Sequence, residues 1–119
     1  MEFGTLIDKS SKSDFQATQL GWSGRPDPDQ NIYDFAVTGG SNNYAKYSNP
    51  QVDKLLADAR AEGDEAKRHA LYDQVMSILQ DDQYYVYLYH QNNVFGISKS
   101  LQGFNYVPDG LLRTVTLSK

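Results

Sequence analysis

The chain has no cysteine, which removes disulfides, thiolate nucleophiles and thiolate metal sites together and leaves the redox compartment undetermined. Histidine is almost as scarce: His69 and His90 are the only two. They form no metal-ligand spacing and read as ordinary surface or packing residues, so neither a metal nor a cofactor is expected. No apolar run reaches the length of a membrane-spanning helix, and the first residues carry neither the basic start nor the apolar block of a secretory signal. Basic residues number 11 against 15 acids, a net charge of -4. No lysine or arginine cluster stands out, so the electrostatic footprint of nucleic-acid binding is missing. At 119 residues the chain is one domain's worth, with room for a modest core.

What the sequence does contain is organised. The opening "MEFGT" has no periodicity and reads as vector-encoded, so the natural beginning of the protein is expected to lie elsewhere. The polar run "DKSSKS" reads as a loop, which makes residues 1–13 a vector-derived or flexible N-terminus. In "DFQATQLGW" Phe15 and Ala17 alternate with Gln16 and Thr18, and the run ends on Leu20 and Trp22, the pattern of a strand. Pro26 and Pro28 stop that strand, since they cannot donate to a ladder, and a short helix or turn is expected over residues 30–35. "TGGSNNYAKYSN" reads as a hydrogen-bonding loop carrying Tyr44 and Tyr47.

The clearest signals follow. Asn49 is a good N-cap and Pro50 fits the first helical position; Val52, Leu55, Leu56 and Ala59 then share one face of a helix that Gly63 can end. Asp64 caps a second helix whose Ala70, Leu71, Val75, Ile78 and Leu79 recur at helical spacing, so the two form an αα-hairpin. A small mixed sheet is expected beneath them. Its strands would be residues 84–90, where Tyr85, Tyr87 and Tyr89 alternate with Val86, Leu88 and His90, and residues 111–117 after a Pro-Asp-Gly turn. The fold class is therefore α/β in the α+β sense. Strand edges and aromatic faces left open would invite self-association or dimerisation.

The stretch "GWSGRPDPDQNIYDF" holds more than a turn needs: an indole and a fixed positive charge beside two glycines and two prolines. Asp27 and Asp29 read as turn-stabilising Asx residues, because they lack full calcium-loop spacing. Ser23 in "GWSGR" falls short of the strained nucleophile elbow, with no His and Asp pattern tied to it, so an enzyme is not expected. Trp22 has two readings, a buried strand end and a stacking surface. Arg25 also has two, contact with an anionic ligand and pairing with Asp27 or Asp29 or solvent.

Taken in order, "DFQATQLGWSGRPDPDQNIYDF", "NNYAKYSNPQVDKLLADARAEGDEAKRHALYDQVMSILQDD", "YYVYLYHQNNVFGISKSLQGF" and "VPDGLL" resemble the C-terminal section of the extracellular solute-binding proteins of family 5. These are the peptide-, nickel- and oligosaccharide-binding receptors of bacterial ABC importers. The resemblance covers essentially everything after residue 13 and implies part of a lobe of the type II periplasmic-binding-protein fold. Residues 14–104 would belong to one lobe and residues 105–119 to the return toward the other. It also implies a small-molecule or peptide ligand, an ABC permease as partner of the full-length protein, and a periplasmic or extracellular lipid-anchored location.

In peptide-binding members of that family the segment matching residues 21–25 is a strand edge. Its backbone pairs with the ligand, the Trp position shapes a pocket, and an acid just beyond holds the peptide's amino group. The implied ligand-binding residues are thus Trp22, Ser23, Gly24, Arg25 and Asp27. Arg25 stands at the place matching the acid, which turns the expectation toward a carboxylate or phosphate on the ligand, with Asp27 taking the acid's part if the turn is shifted. From a different class comes a small interaction or assembly module that pairs its aromatic strand with a partner chain.

Overall fold

The computed structural model describes residues 1–90, 92, 94–107 and 118. Among these described residues there are four helices: α1 (Phe3–Ser11), α2 (Asp29–Ala36), α3 (Pro50–Ala61) and α4 (Glu65–Asp81). The chain divides into two units, Met1–Val86 and Tyr87–Lys119.

Within the first unit the αα-hairpin stands as its caps predict. The Asn49 Oδ1 accepts from the backbone N–H groups of Gln51 at 3.0 Å and Val52 at 3.4 Å, and Pro50 opens α3 without losing a bond its N–H would have made. Asp64 accepts from the Lys67 N–H at 2.9 Å, which satisfies one of the orphan donors at the start of α4. Val52 and Leu56 of α3, Val75 and Leu79 of α4 and Ala36 of α2 form the buried core, and Ala59 of α3 is buried as well. Ile32, Tyr33, Val37, Tyr47, Leu55, Tyr72, Ile78 and Tyr84 pack around it. The inward stripe of α4 runs 68, 72, 75, 79, at helical spacing. Ala70 falls off that stripe and is exposed.

The loop between α2 and α3 folds around one buried amide. Asn43 donates through Nδ2 to the carbonyls of Val37 at 3.0 Å and Tyr47 at 2.7 Å, and its Oδ1 accepts from the Tyr47 N–H at 2.9 Å. Burial of that amide costs little because its hydrogen bonds are made. Gly40 is required beside it: a Cβ there would lie 2.3 Å from the Asp34 carbonyl oxygen. Tyr84 donates to the Phe35 carbonyl oxygen and stacks at 4.6 Å on Tyr47, so the residues after α4 are tied back to the core.

Three expectations are corrected. The small mixed sheet is not found: among the described residues the single β pairing is an isolated antiparallel bridge between Gln102 and Ser118, so the architecture is helical. Residues 84–90 form no strand, nor do residues 15–22. Period-two alternation specifies two faces, but a strand exists only where a neighbour takes its N–H and C=O groups, and the described residues supply no such ladder. The edge at residues 84–90, from which self-association was expected, is accordingly not a sheet edge. Finally, the run 8–13, expected as a loop, largely continues α1. The Glu2 carboxylate caps that helix by accepting from the Thr5 N–H at 3.2 Å, and Lys12 reaches Asp8 one turn back at 2.8 Å. The expected Pro-Asp-Gly turn at 108–110 and the strand at 111–117 lie outside the described residues.

In the second unit, the Phe95 ring lies 5.8 Å from Phe104 and 5.7 Å from Tyr106. Ser98 and Ser100 share a hydroxyl hydrogen bond of 2.9 Å. Val86 in the first unit and Leu88, Tyr89 and Val94 in the second are exposed.

Candidate functional site

Residues 22–27 have no regular secondary structure of their own, and Asn31, in the first turn of α2, organises them. Its Oδ1 accepts from the Trp22 indole Nε1 at 3.2 Å and from the Arg25 backbone N–H at 2.7 Å. Its Nδ2 donates to the carbonyls of Arg25 at 2.7 Å and Asp27 at 3.0 Å. One side chain thus uses both ends of its amide to hold a tryptophan, an arginine and the turn between two prolines.

Each residue singled out from the sequence has a definite place. Trp22 is neither fully buried nor free. It keeps 49% of its surface exposed and meets Phe35 edge to face at 5.0 Å, a favourable aromatic geometry. The Arg25 guanidinium lies over the indole with Cζ 4.8 Å from the ring centroid. Its Nη1 donates to the Ser23 carbonyl oxygen and, at 2.9 Å, to the Ser23 hydroxyl. Ser23 and Gly24 are exposed, and a Cβ on Gly24 would meet nothing nearer than Asn31 Oδ1 at 4.0 Å. The edge has open space in front of its backbone.

Asp27 behaves as an Asx residue, accepting from the Asp29 N–H at 2.8 Å. It does not pair with Arg25. Instead its carboxylate takes the Nη2 of Arg68 at 2.7 Å. Those two hydrogen bonds, with Arg68 contributing most, hold the Asp27 carboxyl below its ordinary range. Arg68 also donates to the Ala59 carbonyl at 3.1 Å and to the Tyr72 hydroxyl at 3.3 Å, so it joins α4, the end of α3 and the turn. Asp29 is gripped by Arg60 of α3. Both acids of "RPDPD" are therefore committed to arginines from the hairpin.

Asn31, Arg60 and Arg68 escaped the sequence reading. The stripe 68, 72, 75, 79 was a usable signal for Arg68, since it puts a cation where the core side of α4 emerges. Nothing in the local sequence marks Asn31. A shallow depression lined by Gln51, Asp73, Gln74, Ser77 and Ile78 includes none of these residues. Among the described residues no helix is long and apolar enough to cross a membrane.

No family model matches the chain. Individual relatives do. The chain is similar to the oligopeptide-binding protein AppA of Bacillus subtilis, 32% identical over 111 residues that cover 91% of this chain and 20% of the relative. It is 32% identical over 108 residues to the probable D,D-dipeptide-binding periplasmic protein DdpA of Escherichia coli, covering 87% and 21%. Di/tripeptide-binding protein 1 of Pseudomonas aeruginosa is 31% identical over 114 residues, covering 92% and 21%. The chain spans about a fifth of the length of the relatives it matches. Along nine tenths of its residues the chain thus matches a section of the oligopeptide- and dipeptide-binding proteins, the extracellular solute-binding proteins of family 5.

Proposed function

We propose that this chain supplies one wall of the ligand cleft of a substrate-binding component of an ABC importer, which captures a peptide or peptide-like solute. The wall is the edge formed by Trp22, Ser23, Gly24, Arg25 and Asp27, and it closes against a second lobe contributed by a longer protein. The observation that carries the reading is the preorganised edge itself: Asn31 fixes Trp22 and Arg25 in front of a backbone with open space at Gly21 and Gly24. A half-exposed indole offers a ligand apolar surface and the backbone offers it hydrogen bonds, the two ingredients of peptide capture. Asp27 serves the edge by shaping its turn. The protein acts by binding rather than by catalysis, works with an ABC permease, and resides in the periplasm or outside the cell.

Mass spectrometry of solutes that co-purify with the full-length protein tests the reading. Peptides or peptide-like solutes are the expected result; a consistently recovered ligand of another class, such as a nucleotide or a lipid, would overturn it.

A further inference from the structure

We infer that the edge selects ligands through a carboxylate, received by the outer fork of Arg25; the inference rests on the proposed peptide-binding role. The charge accounting of the turn leads to it. In the segment "GWSGRPDPDQNIYDF" Arg25 is the sole cation. The two acids next to it in sequence are matched from elsewhere, Asp27 by Arg68 at 2.7 Å and Asp29 by Arg60 at 2.7 Å. Among the described residues Arg25 pairs with no carboxylate. Its charge is surplus at an exposed edge.

The orientation of that charge is set as well. Nη1 is occupied by the carbonyl and hydroxyl oxygens of Ser23, and Cζ is held over the Trp22 ring, 4.8 Å from its centroid. The backbone N–H of Arg25 is bonded to Asn31, so the residue is fixed at both ends of its side chain. What remains is the edge formed by Nε and Nη2, which donates to nothing among the described residues. Two parallel N–H groups at that spacing fit the two oxygens of a carboxylate. An ammonium would meet a cation there with both neighbouring acids already committed, so a free amino terminus is disfavoured at this position. The exposed indole next to the fork accepts the apolar part of a residue that carries the carboxylate. Two sources share this chemistry, the C-terminal carboxylate of a peptide and an acidic side chain.

Trp22 is the chain's single tryptophan, so its emission reports on this edge alone. The experiment titrates the 119-residue chain with three probes at millimolar concentration: acetyl-alanyl-alanine, which carries only a terminal carboxylate; acetyl-alanyl-glutamyl amide, which carries only a side-chain one; and alanyl-alanine amide, which carries only an ammonium. An exposed ion pair is modest in water, so at least one carboxylate probe is expected to bind about threefold or more tightly than the amide, with the preference lost in Arg25→Gln and in Arg25→Lys. The arm that binds identifies the source. If the amide binds as well as both carboxylate probes, or the preference survives in both variants, the carboxylate inference is overturned while peptide binding stands. If none of the three changes the emission of Trp22, both the inference and the peptide-binding edge are overturned.

Discussion

Arg60 grips Asp29 through two hydrogen bonds, Nε to Oδ1 at 3.0 Å and Nη2 to Oδ2 at 2.7 Å, while its guanidinium lies 3.4 Å over the Tyr33 ring. The pair joins the last turn of α3 to the first residue of α2 and so sets where the segment 22–27 meets the helices. The Asp29 side chain is 18% exposed and that of Arg60 49%, which places the bond between the weak surface class and the strong buried one. Arg60→Ala should cost about 1 kcal/mol in urea unfolding, and a double-mutant cycle with Asp29→Ala should return most of that as coupling. Additive single costs would show that the contact contributes nothing.

Asn31→Ala removes four hydrogen bonds from the edge at once without touching the core cluster. Trp22 emission should shift to the red and become more accessible to quencher, while the far-ultraviolet circular dichroism keeps its helical amplitude. A variant with native tryptophan emission would show that Phe35 and Arg25 suffice to hold the indole.

Two glycines offer an internal contrast. Gly40→Ala drives a Cβ to 2.3 Å from the Asp34 carbonyl oxygen and 2.9 Å from its carbon, both backbone atoms that cannot step aside, whereas a Cβ on Gly63 meets nothing within 4 Å. Gly40→Ala should destabilise by about 2 kcal/mol or more, and Gly63→Ala by less than about 0.5 kcal/mol. Equal midpoints for the two variants in chemical denaturation would contradict the packing of the loop around Asn43.

The pH profile should have two limbs with named causes. Burial, reinforced by the hydrogen bond to the Asp82 carboxylate, pushes the Tyr47 hydroxyl up to about 12 from an ordinary value of 10.0. A raised folded pKa stabilises fully below the unfolded value, so this contribution is present below pH 10 and is lost as pH rises from about 10 to about 12. On the acid side the Asp27 carboxyl is lowered by Arg68. Its contribution is present above the unfolded carboxylate value and fades as pH falls through the folded one. Tyr47→Phe should flatten the alkaline limb and Arg68→Met the acid limb in thermal unfolding followed across pH. An alkaline limb unchanged in Tyr47→Phe would assign it to another tyrosine.

The proposed cleft makes a prediction about the chain by itself. Affinity in a closing receptor comes from burying the ligand on both sides, and losing one side costs about 4 kcal/mol or more, roughly a thousandfold. Isothermal calorimetry with short peptides should therefore find no submicromolar binding to the 119 residues alone. Within the full-length protein, Arg25→Ala should weaken an anionic ligand by about 2 to 4 kcal/mol; a change within about fivefold would mean that Arg25 contributes only to the turn.

The local signals in this sequence were sufficient for the hairpin. Asn49, Pro50 and Asp64 act on backbone groups within three residues of themselves, and the spacing of Val52, Leu56 and Ala59 is a property of one helix, so each can be read without knowing the rest of the chain. The Asx role of Asp27 is local for the same reason. Other features were decided by groups far apart in sequence. Whether the alternating tyrosines after residue 84 become a strand depends on a neighbour to bond with, and the single pairing among the described residues, Gln102 with Ser118, lies elsewhere. Which arginine neutralises Asp27 and Asp29 was settled across 41 and 31 residues, because the inward stripe of α4 and the last turn of α3 place Arg68 and Arg60 beside them. That tertiary choice leaves Arg25 lying on Trp22 with no carboxylate partner among the described residues, since a charge paired at a distance is invisible to any window that reads only its neighbours.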